Sequence, residues 1–574
     1  MTSQADPQNP ARKNAPLHGW GLAILISFLI SLAIISPFFR LGSATGHDFL
    51  FHASCWLDAA TQWKQGILYP RWTEWANYGF GEPRFIFYPP LSWMLGAALG
   101  LLISWNAAPA IFIVLTQAFA GTSAFALGRR VMSRKAAYFC AACFAANPYA
   151  LIIIYLRSDF AELLANAFFP LLFLAALRMC GWIGDESGAA KPASGRVIVA
   201  FSAVLAAIWL SNAPAGVMAC YSCAATFGYA AFARKSWKPL ITGATGLALG
   251  LGFTGFYLLP AAFEQRWVNI AQALAPGLLP SENFLFTVIN DPEHTLFNWI
   301  VSGAAVFLMV VAGLAAVNAH RAGKNHELPL EDRVWQVLLL LATLSSVLML
   351  RFTTILWNIL PKLKFVQFPW RWLAILAVPF AIFLGNAIAR KRWGWLWGIV
   401  SLTLLCGIGV GLAHRAWWYK NDIPVLRNAI AGGLGYEGTD EYDPLGDDHT
   451  NVPIAKAAPA QVMDTDSTPG PDNPPTVHVD QWKPEYKEVT VRTKDPFALG
   501  LRLLNYPAWE VRVNGAVVKP LSGEDYNQML VELRPGESHV VVKFRRTWDR
   551  TLGGALSLCS LLAGWWVGRR RETE

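Results

Sequence analysis

The sequence predicts a polytopic α-helical membrane protein of about twelve crossings, with a C-terminal β-sandwich domain outside the membrane. Of its 574 residues, 54% are hydrophobic and 15% are charged, whereas soluble domains carry about 25% charged residues. Apolar runs of about 20 residues, the length that one helix needs to cross a bilayer, recur along the chain. Near the C-terminus the pattern changes to short runs rich in β-branched residues, which predict strands.

The basic residues indicate which loops face the cytoplasm. The formal net charge is +9, but the basic residues form short clusters between apolar runs, as at 129–130, 234–235 and 390–392. Clusters of this kind mark the cytoplasmic ends of crossings. A nucleic-acid-binding protein would show a continuous basic face instead, so no nucleic-acid partner is expected.

The cysteines do not indicate a zinc site. The eight cysteines include the pairs Cys140/Cys143 and Cys220/Cys223, whose spacing would suggest zinc in a soluble protein. Each pair lies within an apolar helical stretch, where cysteine behaves as a small packing residue. No cysteine occurs from His414 to Arg550, so no disulfide is expected in the exterior domain.

Twelve apolar runs predict the crossings. Residues 1–16 form a polar cytoplasmic tail before the run 17–39, which is too long for a signal-peptide core and predicts a signal anchor. The transmembrane domain is predicted over 17–413, and a final crossing with a basic cytoplasmic tail over 549–574. The remaining predicted crossings are 108–128, 136–155, 162–180, 197–213, 214–233, 239–259, 297–318, 334–350, 370–389, 393–413 and 550–568.

The apolar segment 85–105 decides the topology. All basic clusters and both termini fall in the cytoplasm only if this segment does not cross fully. It contains Pro89 and Pro90, which disfavour a regular helix start there, so we predict a partial or interfacial helix. The exterior segments are then 40–84, 156–161, 260–296, 351–369 and 414–549.

The last exterior segment divides into a linker and a folded domain. Residues 414–486 predict a mobile linker, because from Asn421 the chain becomes acidic and rich in Pro, Gly, Asp and Thr. Residues 487–548 predict the β-sandwich, since six short strand-like runs follow one another. Asn514-Gly515 between two of these runs predicts a hairpin turn.

The first exterior loop, 40–84, contains the main candidate for catalysis. Asp48 lies a few residues beyond the first helix, where a carboxylate can act as the general base for a lipid-linked substrate. His47 precedes it, and His52 shares a helix face with it if the segment is helical. The alternative is that Asp48 caps a helix start, a position that favours Asp. Arg71 of the same loop is a candidate ligand of the substrate or its lipid phosphate.

A second polar group, Arg157, Asp159 and Glu162, lies between two crossings. The acids can simply complement the dipole at a helix start. Alternatively, Arg157 holds a phosphate while the acids orient an acceptor or a metal. The residues alone leave both interpretations open.

A third group, Lys364, Gln367 and Arg371, lies at the outer mouth of a later crossing. Basic residues on that side run against the positive-inside rule. The guanidinium fork of Arg suits phosphate oxygens, so an anionic lipid phosphate would explain them. Interfacial anchoring by Trp and Arg is the alternative.

Other motifs are weaker or missing. Asp291, Glu293 and His294 offer metal-type ligands at a loose spacing. The sequence has no Walker loop, dinucleotide fingerprint, zinc-protease motif or nucleophile elbow, so an ATP-driven transporter is not expected.

Four segments carry a family resemblance: GHDFLFH, LYPRW, YLRSDFAELLANAFFPL and KFVQFPWRWL. They resemble bacterial membrane proteins named for a 6-pyruvoyl-tetrahydropterin synthase-related domain. The C-terminal stretch from NYPAWEVRVNG to SHVVVKF is similar to the terminal domain of YfhO-like membrane proteins. The name does not imply pterin chemistry, because the histidine zinc site of that soluble enzyme is not visible. The resemblance implies the architecture of GT-C glycosyltransferases, with a first-loop acidic residue and a polyprenyl-phosphate sugar donor.

By this resemblance Asp48 corresponds to the first-loop acidic residue and is the expected base. Arg157, Asp159 and Glu162 correspond to the second acidic loop, and Arg371 falls where a donor-phosphate contact is expected. The chain departs from the pattern in having a His-Asp pair and no Asp-x-Asp motif. This departure puts a divalent-metal requirement in doubt, so no cofactor is expected to be required, and a divalent metal is the alternative.

The expected function is sugar transfer at the outer face of a bacterial cytoplasmic membrane, from a polyprenyl-phosphate donor to an envelope glycan, lipid or protein acceptor. A lipid or polysaccharide transporter without chemistry and a non-catalytic scaffold for envelope assembly are the alternatives. A transporter would carry ionisable residues deep within its crossings. Nearly all of them lie at predicted helix ends here, which favours the enzyme.

Overall fold

The computed structural model describes residues 19–184, 194–323, 332–389, 393–446, 452–463 and 474–569. They form a helical bundle, one two-stranded and two larger β-sheets, and a last helix. The predicted tail 1–16, residues 447–451 and 464–473 of the predicted linker, and the end of the basic C-terminal tail, 570–574, lie outside the described residues.

Eight described helices are long and apolar enough to cross a membrane. Two bent pairs of helices meet the same criteria and raise the number to ten. The eight are Ala108–Val131, Arg134–Arg157, Phe160–Met179, Ala213–Arg234, Pro292–Asn318, Pro369–Ala389, Gly394–Arg415 and Trp548–Arg569. The pairs are Lys238–Phe253 with Gly255–Trp267, bent by 76°, and Asp332–Leu348 with Arg351–Ile359, bent by 89°.

Each of the twelve predicted crossings overlaps a helix of the structure. Ten match the long helices and bent pairs, and two match Trp20–Ile34 and Gly195–Ser211, of 15 and 17 residues. The prediction of a helical membrane protein is confirmed, whereas the number of twelve crossings stays a prediction. Segment 85–105 contains the 13-residue helix Pro90–Leu102, which begins at the predicted prolines; its partial crossing also stays a prediction.

Shorter elements connect these helices. The α-helical ones are Phe38–Leu41, Phe49–Lys64, Ala76–Gly79, Arg84–Phe87, Thr354–Ile359 and Asp422–Ala431. The helix that starts at Arg134 consists of α-helix to Ala145, a second piece Pro148–Ile152 and a π-helical turn Ile153–Arg157. The 3-10 turns are Gln265–Trp267, Ile270–Leu274, Pro280–Glu282, Arg351–Thr353, Leu363–Val366, Pro369–Trp372 and Asp440–Tyr442.

Small residues allow the helices to approach closely. Gly121 of Ala108–Val131 faces the first helix, and a Cβ at this position would lie 2.4 Å from the Ser27 hydroxyl oxygen. Such contacts are how membrane helices associate in the absence of a hydrophobic driving force.

Eleven strands are present in the described residues. They are β1 Ser43–Ala44, β2 Trp418–Tyr419, β3 Ala460–Met463, β4 Thr476–Lys483, β5 Tyr486–Thr493, β6 Phe497–Leu504, β7 Trp509–Val513, β8 Ala516–Val518, β9 Leu521–Ser522, β10 Gln528–Leu533 and β11 Gly536–Phe544. β1 pairs with β2, and the others form sheets of order β3-β6-β10-β9 and β4-β5-β11-β7-β8 with antiparallel neighbours. One buried core contains side chains from both sheets, as in a sandwich.

The predicted hairpin turn is confirmed. Val513 pairs with Ala516 across the turn, and the two residues between them have φ values of 51° at Asn514 and 85° at Gly515. Two positive φ values define the type I′ turn that Asn-Gly favours.

The prediction that residues 414–486 form a mobile linker is wrong where the described residues form regular structure. β3 and β4 lie within it and belong to the two sheets, and Asp422–Ala431 is a helix. The composition of the segment suggested a chain without a core. Its alternating apolar residues nevertheless complete sheets that the downstream strands begin.

The loop 40–84 packs against the β-sandwich. Trp72 is buried, and its ring centroid lies 5.4 Å from that of Trp509 and 5.8 Å from those of Tyr506 and Phe544. These residues share one buried core. The loop therefore has a fixed position between the sandwich and the helical bundle.

Candidate active site

Backbone contacts hold Asp48 against the turn that follows Arg157. The amide of Asp48 donates to the carbonyl of Arg157 at 2.8 Å, and the amide of Gly46 donates to Ser158 Oγ at 3.0 Å. A Cβ at Gly46 would lie 2.3 Å from the carbonyl oxygen of Leu156, so only glycine fits this close approach. Two segments that are 112 residues apart in sequence are thus joined at Gly46.

The π-helical turn places the side chain of Arg157 beneath this loop. The turn ends at Ser158, which has a left-handed φ of 56°, and π-helical turns occur often at functional sites. Arg157 Nη2 donates to Asp48 Oδ2 at 2.7 Å, and Nη1 donates to Glu162 Oε2 at 2.6 Å. The Asp48 side chain makes no capping hydrogen bond with the helix that it precedes. Asp48 is therefore an ion-pair partner, and the capping alternative is wrong.

Asp159 connects a histidine to the same arginine. Its Oδ1 caps the next helix by accepting from the amide of Glu162 at 2.9 Å, and its Oδ2 accepts from Arg157 Nη2 at 3.2 Å. His52 Nε2 lies 3.3 Å from Asp159 Oδ1. Burial raises the pKa of Asp159, but the contact with His52 and the charge of Arg157 outweigh it, so this pKa lies well below its ordinary value.

Glu162 is the fully buried centre of the network. Its Oε2 accepts from Arg157 Nη1 at 2.6 Å and from Arg371 Nε at 3.1 Å, and Tyr149 donates its hydroxyl to Oε1. The second and third polar groups of the sequence therefore meet at one carboxylate.

The guanidinium of Arg371 is hydrogen-bonded to the turns that precede its helix. Nη1 donates to the carbonyl of Val366 at 2.8 Å and to Gln367 Oε1 at 3.1 Å. Nη2 lies 3.7 Å from Asp159 Oδ2. Gln367 has φ 64° and ψ −61°, a strained γ-turn conformation that the amide of Phe368 closes by donating to Val366. Each guanidinium nitrogen of Arg371 thus has a protein partner.

The network holds one more negative than positive charge. Three carboxylates face two guanidiniums, which gives a formal net charge of 3 × (−1) + 2 × (+1) = −1. The Asp48 side chain is 34% exposed, whereas the other four are at most 6% exposed. No described residue donates a hydrogen bond to Asp48 Oδ1. This oxygen is therefore the accessible basic atom of the network.

A cavity of about 600 Å³ opens beside Asp48. Ligand cavities commonly have volumes of this order and combine apolar walls with a few polar groups. The polar lining comes from His47, Asp48, Arg157, Asn283, Asp291, Glu293, His294 and Arg415. The apolar lining comes from Leu278, Leu296, Phe297, Ile300, Phe368, Trp370 and Trp417.

The cavity borders the apolar outer surface of the bundle. Leu296 lines the cavity and is exposed, and Trp299 on the same helix is also exposed. An apolar chain that lies along this helix can therefore reach the cavity. His47 belongs to the polar lining. Loss of contact with water is the largest influence on its pKa and lowers it below 6.5.

Arg415 is a site residue that the sequence reasoning missed. It ends the helix Gly394–Arg415 and lines the cavity with an exposed side chain. No acidic side chain of the described residues forms an ion pair with it. The signal that singled out Arg371, a basic residue at the outer end of a predicted crossing, also applies to Arg415.

The remaining predicted site residues lie outside the cavity. His52, Gln367 and Arg371 are behind it, in or against the buried network. Lys364 is exposed on the turn Leu363–Val366 and does not line it. Arg71 lies elsewhere, 4.3 Å above the ring of Tyr69.

A metal site is not evident among the described residues. They contain no group of three or more His, Cys, Asp or Glu side chains arranged to hold a metal ion. Asp291 accepts from the amides of Glu293 and His294 and so caps its helix. His294 Nε2 lies 2.9 Å from Asn283 Oδ1.

Solved structures show only remote similarity to this chain. The oligosaccharyltransferase of Archaeoglobus fulgidus in its apo form aligns with a TM-score of 0.42 and 14% identity, over 75% of this chain and 62% of that one. The arabinofuranosyltransferase AftD from Mycobacteria gives 0.43 and 15%, over 71% and 27%. The A. fulgidus oligosaccharyltransferase AglB in complex with an inhibitory peptide and a dolichol-phosphate gives 0.40 and 15%, over 74% and 56%.

This chain thus spans less than two thirds of each of those proteins. At these scores the similarity is too remote to indicate a shared activity. No curated protein matches the chain.

One family model does match. It is described as "6-pyruvoyl-tetrahydropterin synthase related domain; membrane protein", and it covers residues 85–423, which is more than half of the chain. The match includes the second and third polar groups of the site and ends just after Arg415. The protein is a member of this family of membrane proteins.

Proposed function

We propose that the protein is a GT-C-type glycosyltransferase that moves a sugar from a polyprenyl-phosphate donor to a hydroxyl of an envelope glycan, lipid or protein. One observation carries the proposal. Asp48 is the only partly exposed carboxylate of the ion-pair network described above, and it lines a cavity that combines polar and apolar side chains. A lipid-linked phosphosugar has the same division into an apolar chain and a polar head.

The reaction requires a base, and the geometry around Asp48 supports that role. Asp48 Oδ1 accepts the proton of the acceptor hydroxyl as its oxygen forms a bond to the anomeric carbon of the sugar. The bond between the anomeric carbon and the phosphate oxygen breaks, and the lipid phosphate leaves with the electron pair. Arg157 holds the other oxygen of Asp48 at 2.7 Å, so the carboxylate stays oriented.

The leaving phosphate requires a cation at the cavity. Arg371, which the sequence suggested for this role, has a protein partner at each nitrogen and does not line the cavity. Arg415 lines it and has no acidic partner among the described residues. We therefore assign the phosphate contact to Arg415, where electrostatic stabilisation of the developing charge lowers the barrier, and treat Arg371 as a positioning residue.

The proposal includes a place in the cell. Sugar transfer from a polyprenyl phosphate fits the outer face of the bacterial cytoplasmic membrane, with the β-sandwich on the same side as Asp48. The packing of Trp72 against Trp509 and Phe544 supports this arrangement, because it places the first loop and the sandwich side by side. The sandwich is then able to contact the acceptor.

Two measurements on the purified protein test the proposal. The first is binding of polyprenyl phosphate, which we expect for the wild-type protein and for Asp48→Asn. The second is transfer from polyprenyl-phosphate hexoses and pentoses that are radiolabelled in the sugar, to a membrane extract as the acceptor. Loss of the base should lower the rate of transfer by about 10²–10⁴-fold in Asp48→Asn.

The matched control is Glu532→Gln, which removes an exposed carboxylate on β10 and should leave the transfer rate unchanged. Failure of the wild-type protein to bind polyprenyl phosphate would refute the donor class. Transfer by Asp48→Asn at the wild-type rate would remove Asp48 as the base. Binding and vectorial movement of the labelled lipid without transfer would favour the transporter instead.

A further inference from the structure

A second cavity, of about 520 Å³, lies at the far end of the helix that Asp48 precedes. Its walls come from the helix Phe49–Lys64, the helix Asp422–Ala431, and the indole rings of Trp75 and Trp105. The sugar-transfer proposal makes no use of this cavity.

The charged lining of the cavity is entirely positive. Lys64 and Arg427 line it from different helices, and both are exposed. The lining contains no acidic side chain. Neither cation forms an ion pair with a described residue. Two cations from separate elements thus face one space without a counter-ion from the protein.

Helix dipoles do not account for both cations. Lys64 lies in the last turn of its helix, where a cation complements the dipole. Arg427 lies in the middle of Asp422–Ala431, and no basic residue occupies the last turn of that helix. The helix dipole therefore does not stabilise Arg427 at this position, whereas an anion in the cavity would.

Apolar side chains beside the cavity indicate a membrane surface. Trp105 follows the last turn of the helix Pro90–Leu102, where Leu102 is 81% exposed and Ile103 is 50% exposed. Exposed apolar side chains next to tryptophan and basic residues are typical of the region where a protein meets lipid headgroups. The buried side chains of Leu57, Ala60 and Ile430, which also line the cavity, are apolar as well.

The cavity is distinct from the site at Asp48. Residues 57–64 lie 9 to 16 positions beyond Asp48, which corresponds to about 14–24 Å along an α-helix. A donor phosphate bound beside Asp48 and Arg415 therefore cannot also occupy this cavity.

We infer that this second cavity binds the anionic headgroup of a membrane lipid, with Lys64 and Arg427 on the phosphate and the tryptophans against the apolar part of the molecule. The inference does not depend on the sugar-transfer proposal. Each basic side chain near a bilayer surface contributes about a fivefold preference for an anionic lipid, so the two together give about 30-fold.

Native mass spectrometry of the full-length protein in detergent tests the inference. The probes are phosphatidylglycerol and the zwitterionic phosphatidylcholine with the same acyl chains. We expect a preference of about 30-fold for phosphatidylglycerol in the wild-type protein, and near equality in the double variant Lys64→Gln/Arg427→Gln. Equal binding of the two lipids by the wild-type protein would overturn the inference.

A matched double variant controls for net charge. Lys494→Gln/Arg534→Gln removes two exposed cations of the β-sandwich that line neither cavity, and it should keep the preference. If this control also lost the preference for phosphatidylglycerol, the preference would come from the overall charge of the protein, and the inference of a binding site in the cavity would be overturned. Displacement of the lipid by millimolar inorganic phosphate would assign the cavity to a free anion and overturn the lipid assignment. A normal circular dichroism spectrum of each variant shows that its helices are intact.

Discussion

Replacing a carboxylate by its amide should have opposite consequences at Glu162 and Asp48. Both residues pair with Arg157, at 2.6 Å and 2.7 Å. Their surroundings differ, because the Glu162 side chain is fully buried whereas that of Asp48 is 34% exposed. We expect Glu162→Gln to lower the free energy of unfolding. We expect Asp48→Asn to lower the rate of sugar transfer in a protein of nearly normal stability.

The magnitude at Glu162 follows from its partners. Its carboxylate accepts from Arg157, Arg371 and Tyr149. The amide oxygen of Gln can still accept from both arginines while its nitrogen faces the Tyr149 hydroxyl, but the negative charge that neutralises the two buried guanidiniums is lost. Breaking a buried ion pair in this way costs about 3–5 kcal/mol in the free energy of unfolding.

The magnitude at Asp48 is smaller. Solvent screens a partly exposed ion pair, which contributes about 1 kcal/mol or less. Asp48→Asn keeps the size of the side chain and an oxygen that can accept from Arg157. Loss of the base should nevertheless lower the rate of transfer by about 10²–10⁴-fold.

The assay combines two readouts on the same purified variants. Reversible unfolding in mixed micelles of mild detergent and dodecyl sulfate is followed by fluorescence of the 26 tryptophans, and the rate of transfer is measured with radiolabelled donor. Glu532→Gln is the control for loss of one negative charge and should be normal in both. If Asp48→Asn were destabilised as strongly as Glu162→Gln, Asp48 would be a structural member of the network, and the division of roles would be wrong.

Three further predictions concern the cavity and its loop. Arg415→Gln should raise the Kd for polyprenyl phosphate at least tenfold, because a charge-assisted hydrogen bond contributes about 1.5–3 kcal/mol; Lys364→Gln, outside the cavity, should leave equilibrium binding unchanged. The pKa of His47 is lowered below 6.5 in the folded protein. Below pH 6.5 the histidine is therefore protonated to a greater extent in the unfolded chain than in the folded protein. Stability should therefore fall as the pH drops below 6.5, and His47→Gln should reduce this loss in unfolding titrations between about pH 7 and pH 5. Gly46→Ala should slow transfer, since its Cβ would lie 2.3 Å from a carbonyl oxygen, whereas Gly228→Ala, with no atom within 4 Å of the new Cβ, should keep the wild-type rate.

The helices could be predicted from the sequence because their signal is local. A run of apolar residues decides whether a segment is stable in lipid, and no distant contact alters that preference much. The same holds for the Asn514-Gly515 turn, where the φ values that Asn and Gly tolerate select the hairpin. In both cases the information lies within a few residues.

The linker was mispredicted because its signal is not local. The stretch that contains β3 and β4 is rich in Pro, Gly and Asp, a composition typical of unfolded chain. β4 is stable because it pairs with β5 along most of its length. The stability that a strand gains from pairing depends on its partner strand, and the composition of one segment gives no information about that partner.

The candidate site was found in pieces, and only the tertiary structure joins them. The sequence singled out Asp48, Arg157 and Arg371 separately, but their pairing spans 109 residues from Asp48 to Arg157 and 209 from Glu162 to Arg371. Helical periodicity does not encode which helix ends meet. For the same reason Arg371 was expected to bind phosphate directly, although every nitrogen of its guanidinium is engaged by the protein.

Stability alone does not explain why this network exists. Transfer of two guanidiniums from water to a buried site is costly, and a well-packed apolar set of the same volume is often at least as stable. The arrangement has a property that apolar packing cannot supply. Arg157 and the buried acids fix one oxygen of Asp48 in a charged environment, while the other oxygen faces the cavity without a donor from the described residues. A carboxylate held in this way keeps its orientation when a substrate displaces water from the cavity, and a general base needs this because it must stay within hydrogen-bond reach of the proton that it accepts.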